Sequence, residues 1–120
     1  MRQKLGQHFL KNKGKIAKIV DSLELGREEA LFEIGPGHGE LTREILARIA
    51  GTKTKLFAIE KDEELAKELA SLGGKGNLEI IEGDAIERLP VVTIGAKNYK
   101  IFGNVPYYIT GRLLRTISEL

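Results

Sequence analysis

Cysteine is absent from this 120-residue chain, which excludes disulfides, thiolate metal sites and a cysteine nucleophile. Long apolar runs are absent too. The longest, Leu56 to Ile59, has four residues, against the roughly 20 that a membrane-spanning helix needs. The start, MRQKLGQHFLKNKGK, is basic but lacks the apolar stretch of a signal peptide, so a cytoplasmic protein is the expectation. Acids are missing from the first 20 residues, which carry Arg2, Lys4, Lys11, Lys13, Lys15 and Lys18; the net charge of +2 therefore hides a basic arm on a mildly acidic body. Such an arm suggests a polyanion as neighbour, with a solvated lysine face on the first helix as the plainer reading. What remains is ordinary for one globular domain: 42% apolar and 30% charged residues, too apolar for disorder.

The periodicity predicts alternating elements. Ile16, Ile19, Val20 and Leu23 fall at i, i+3, i+4 and i+7, so residues 14–24 read as an amphipathic helix with Gly26 as its stop. Ala30 to Ile34 is a short apolar run closed by Gly-Pro-Gly, which fits a buried strand. Leu41, Ile45 and Ile49 mark a helix, Lys55 to Glu60 a strand, and Leu65, Leu69 and Leu72 a helix closed by Gly73-Gly74. Leu78 to Glu82 and Tyr99 to Gly103 read as the third and fourth strands, and residues 110–120 as a last helix. Alternation of this kind implies βαβ units and an α/β fold with a parallel sheet. Four strands are few for that architecture, and the sheet edge needs cover.

Three strand ends carry candidate chemistry. Gly35-Pro36-Gly37-His38-Gly39 follows the first strand, where glycines let the backbone approach a ligand and helix amides point into the same space. The spacing is not that of the dinucleotide fingerprint: the third glycine comes one position early, with Glu40 where glycine is wanted, and no G-K-[ST] makes it a P-loop. Glu60 ends the second strand, where a carboxylate can accept both hydroxyls of a ribose. Asp84 follows the third strand and can accept from an adenine amino group. Taken together these fit an adenosyl ligand whose far end is not a pyrophosphate.

The fourth strand runs into Asn104-Val105-Pro106-Tyr107-Tyr108-Ile109. The exocyclic amine of adenine is a poor nucleophile because its lone pair is delocalised into the ring. The Asn104 side-chain oxygen, with a backbone carbonyl such as that of Val105, can accept from both its N–H groups. Pro106 fixes the turn, and Tyr107 offers a stacking face for an extruded base. The nitrogen becomes acidic only once alkylated, so positioning does most of the work. In isolation the same residues also read as a Pro-Tyr turn capped by asparagine.

In register with these strands the chain resembles the N-terminal part of the ribosomal RNA adenine N6,N6-dimethyltransferase family. The residues that carry the resemblance are Leu5-Gly6-Gln7-His8-Phe9-Leu10, Glu33 to Gly39, Ile59-Glu60, Gly83-Asp84-Ala85 and Gly103 to Ile109. It implies a Rossmann-like S-adenosylmethionine-dependent methyltransferase fold with a truncated parallel sheet of about four strands and flanking helices. Residues 1–28 would form a basic arm and helix, and residues 29–120 the cofactor-binding βα units. It implies S-adenosyl-L-methionine as cofactor, held by His8, Leu10, Gly35, Gly37, Glu60, Asp84 and Asn104, with Asn104, Pro106 and Tyr107 as the catalytic set and no metal. The partner implied is ribosomal RNA of the small subunit. Members of that family continue through further strands and a helical C-terminal domain, which are absent here. Competing readings are a large-subunit rRNA methyltransferase of the antibiotic-resistance type, a non-catalytic RNA-binding or ribosome-assembly factor, and an inactive fragment. A nicotinamide-dependent oxidoreductase is disfavoured by Glu40, and a hydrolase by the lack of any G-x-S-x-G.

Overall fold

A computed structural model describes residues 12–26, 28–72, 76–103 and 116–120. The elements run α1 (Lys13–Ser22), β1 (Ala30–Ile34), α2 (Glu40–Ile49), β2 (Lys55–Glu60), α3 (Glu63–Ala70), β3 (Leu78–Glu82), α4 (Ala85–Val92) and β4 (Tyr99–Gly103). All pairings are parallel, in the order β3-β2-β1-β4. This is the α/β architecture expected from the alternation, and the four strands lie within the bounds read from the sequence. The order reverses between β1 and β4, the switch point at whose carboxyl end open α/β sheets bind their ligands. Among the described residues β4 is an edge strand.

Successive strand residues face opposite sides, and both sides are covered. Leu31 and Leu56 meet Ile16 and Val20 of α1 and Leu41, Ile45 and Ile49 of α2 on one face. Ala30, Phe32, Ile34 and Ile59 meet Leu89 of α4 on the other, where Tyr99 and Ile117 also pack. Phe32 stacks on Phe57 at 5.2 Å and meets the edge of Tyr99 at 5.6 Å, so aromatic contacts join β1 to both its neighbours.

Two readings from the sequence need correction. The first helix ends at Ser22 rather than running to 24, and Gly26 is not what stops it. Glu24 takes a left-handed φ of 51°, and the Lys100 ammonium, reaching across from β4, donates to the carbonyls of Leu23 and Glu24. The Leu23 and Glu24 amides bond back to the Val20 and Asp21 carbonyls to close the last turn, and the cation satisfies the two carbonyls just beyond it. Lys100 also pairs with the buried Glu28 at 3.2 Å, so one side chain ties α1 to β4. The second correction is α4, which the periodicity did not reveal. Its N-cap is Asp84, whose side chain accepts from the Ile86 amide at 2.8 Å, and Pro90 lies inside it. Proline removes one ladder bond, and Leu89 beside it is fully buried in the core that the helix covers.

Of the expected last helix, residues 116–118 are helical and 119–120 are not; residues 110–115, and Gly73-Gly74, lie outside the described residues.

Candidate functional site

The glycine loop is built by backbone geometry. Gly35, Gly37 and Gly39 all have positive φ, at 62°, 62° and 89°, a conformation that side chains rarely adopt. Three left-handed residues at alternate positions explain the spacing that matched no dinucleotide fingerprint. Gly39 is further constrained: a Cβ there would lie 2.9 Å from both Leu69 and Leu72. The α3 side therefore closes directly onto the loop. Beside it, His38 Nδ1 and Glu68 Oε1 lie 2.8 Å apart in an exposed pair.

Glu60 fastens the loop to the second strand end. Its Oε1 accepts from the Gly37 amide at 3.1 Å and its Oε2 from the Asp62 amide at 2.9 Å. The Gly35 amide donates to the Ile59 carbonyl at 3.0 Å, and the Gly83 amide to the Glu60 carbonyl at 2.9 Å. The rim from β1 through β2 to β3 is thus one hydrogen-bonded unit. Each Glu60 oxygen has a lone pair beyond the one its amide uses, so the carboxylate arrives oriented and still able to accept from a hydroxyl. Asp84 is divided likewise: Oδ1 caps α4, while Oδ2 lies at the half-exposed rim, 3.9 Å from the Lys61 ammonium.

The structure brings Gly35, Gly37, Glu60 and Asp84 to the carboxyl end of the sheet, as the sequence predicted. His8, Leu10, Asn104, Pro106 and Tyr107 lie outside the described residues. One residue was not singled out in advance. Glu33, next to last in β1, is 1% exposed, and its Oε1 accepts from the Thr42 hydroxyl of α2 at 2.6 Å. Burial pushes its carboxyl up to about 7, the Thr42 bond opposing and the charges of Glu40 and Glu60 adding to the rise. The signal was an acid inside the otherwise apolar run Ala30 to Ile34, with a hydroxyl nine residues on.

These residues fit an adenosyl ligand: a two-acceptor carboxylate for a ribose, a second carboxylate one strand away for an amino group, and a glycine-rich turn on the other side of the first carboxylate. Comparison with known proteins agrees on fold and family. Solved structures with the same fold include the protein of the fibrillarin/Nop5p complex (TM-score 0.67, 16% identity, 92% of this chain and 53% of that one). A protein-L-isoaspartate O-methyltransferase is also similar (TM-score 0.60, 20% identity, 75% and 28%). Among curated relatives, a ribosomal RNA small subunit methyltransferase A of Pelotomaculum thermopropionicum is 42% identical over 94% of this chain and 41% of its own length. One of Mycoplasma capricolum is 37% identical over 91% and 41%. The chain thus spans about two fifths of the relatives it matches. The family described as ribosomal RNA adenine dimethylase matches residues 1–119, and the chain belongs to that family.

Proposed function

We propose that this chain is the cofactor-binding part of an S-adenosylmethionine-dependent enzyme that dimethylates N6 of adenosines in small-subunit ribosomal RNA, in the cytoplasm. The observation that carries the reading is Glu60: both of its oxygens are aimed by loop amides while keeping lone pairs for the ribose hydroxyls. Asp84 reads the adenine edge, and Gly35 and Gly37 admit the methionine end against bare backbone. His8 and Leu10 complete that site by family resemblance. Bound there, the cofactor supplies an electrophilic methyl group on sulfur. This chain's part in the chemistry is to hold the target amine: Asn104 accepts from its N–H groups, Pro106 fixes the turn and Tyr107 stacks on the base. The exposed Lys13, Lys15 and Lys18 of α1 supply the phosphate contacts of RNA binding. The names of the curated relatives support the small-subunit target over the large-subunit branch.

The test is calorimetric titration of S-adenosylmethionine into the chain, with circular dichroism on the same sample. Saturable binding that Glu60→Ala weakens at least tenfold is expected. A folded chain that does not bind refutes the site as assigned.

A further inference from the structure

Glycine inside a strand weakens it and marks a place where another backbone comes close. Gly103, the last residue of β4, pairs with Ile34, the last of β1. A Cβ at Gly103 would lie 2.3 Å from the Ile34 carbonyl oxygen, 3.0 Å from its amide nitrogen and 3.0 Å from its Cβ. Two of these atoms are backbone, so no rotamer change relieves the contact. The end of β1 has nowhere to retreat: Ile34 is 5% exposed, and the Gly35 amide is bonded to Ile59 on the far side at 3.0 Å. A methyl group at 103 therefore has to push β4 outward by about 1 Å to restore an ordinary carbon contact.

We propose that Gly103 is a positioning residue for methyl transfer: its bare backbone lets β4 close onto the end of β1 at the switch point, which sets where the chain enters the Asn104 motif. The inference rests on the methyltransferase reading above and adds a geometric requirement to it. Glu60, Asp84 and the loop's anchoring bonds lie on the β2 and β3 side of β1, away from the strand that moves. Ligand affinity and transfer should thus separate. Reacting atoms must come within about 3–3.5 Å, and an error of about 1 Å can cost roughly 100-fold in rate.

The test compares the unaltered 120-residue chain with Gly103→Ala and with Gly26→Ala, whose added methyl meets nothing within 4 Å. Three quantities are measured: calorimetric affinity for S-adenosylhomocysteine, methyl transfer to small-subunit ribosomal RNA, and backbone amide resonances. Gly103→Ala should bind S-adenosylhomocysteine within threefold of the unaltered chain and lose at least 100-fold in kcat with little change in the KM for RNA. Gly26→Ala should behave as the unaltered chain. Transfer within threefold for Gly103→Ala overturns the inference. So does a parallel loss of affinity and transfer, or a failure to fold, since each shows a merely structural role. Should the unaltered chain transfer no methyl, its proposed activity fails, and the resonances decide. The Ile34 and Gly35 amides, across the strand pair from the substitution, must then shift in Gly103→Ala and not in Gly26→Ala, with Asp62 unmoved; unshifted Ile34 and Gly35 amides overturn the inference. Independently, the unaltered chain must show nuclear Overhauser contacts between the Gly103 α-protons and the Ile34 backbone, and their absence overturns it as well.

Discussion

Replacing Glu33 by glutamine should make the fold more stable in mild alkali and remove a pH dependence. The carboxyl titrates at about 7 in the fold against 4.5 as its ordinary value. A raised folded pKa means that the folded state holds the proton more tightly. The proton's contribution is complete below pH 4.5, shrinks as pH rises through the window to 7, and is gone above it. At roughly 1.4 kcal/mol per unit, the loss comes to about 3 kcal/mol, a large share of the 5–15 kcal/mol typical of a domain. Glutamine keeps an oxygen for the Thr42 hydroxyl and cannot ionise. Its amide N–H groups need acceptors, which costs about 1 kcal/mol or more at every pH. Urea unfolding of both proteins from pH 4.5 to 8.5 isolates the effect, because every other titrating group is common to the two. The variant should be equal or weaker at pH 4.5 and stronger by about 2 kcal/mol at pH 8.5. In a thermal scan at pH 8.5 that is a gain of several degrees. Parallel stability profiles would refute the claim that Glu33 is protonated in the core.

Gly39→Ala places a methyl group 2.9 Å from Leu69 and Leu72 at a φ of 89°, and should cost about 2 kcal/mol in urea unfolding and weaken S-adenosylmethionine binding in calorimetry. Lys100→Met leaves Glu28 buried without its cation and uncaps the Leu23 and Glu24 carbonyls; a loss of about 2 kcal/mol is expected by urea unfolding. Asn104→Ala should abolish methyl transfer while S-adenosylmethionine affinity stays within several-fold, measured by radiolabel transfer and calorimetry. Charge reversal at Lys11, Lys13 and Lys15 should weaken RNA binding and flatten its log–log salt dependence by about 2, read by filter binding across a salt series.

Strand ends carried most of what the sequence disclosed. Apolar runs closed by glycine or an acid are local signals, and they placed β1 to β4, the glycine loop, Glu60 and Asp84 in their observed positions. What stayed hidden depends on contacts between distant residues. The chain just beyond helix α1 is held by a lysine on β4, and nothing near Ser22 announces Lys100. Helix α4 escaped notice because it is only two turns long and holds Pro90, so its pattern of Ile86, Leu89 and Val92 never completes the longer repeat that marks α1 and α2. The character of Glu33 was obscured by its place in a motif of glycines: an acid there reads as part of the loop, whereas its surroundings are those of a core residue. Proton affinity is a property of the packed interior, and no neighbour in the sequence reports it.

Strand order also governs the order in which the molecule can assemble. β1 finds β2 after one crossover, but its other edge waits for β4, and the Lys100–Glu24 bond that fastens β4 to the first helix spans 76 residues. Closing so long a loop is slow compared with forming neighbouring units, and a chain made from its N-terminus has β1, β2 and β3 in hand first. During synthesis the Glu60 latch on the glycine loop can therefore exist while Leu31 and Phe32 still present an unpaired strand edge, the kind that recruits chaperones or other nascent chains.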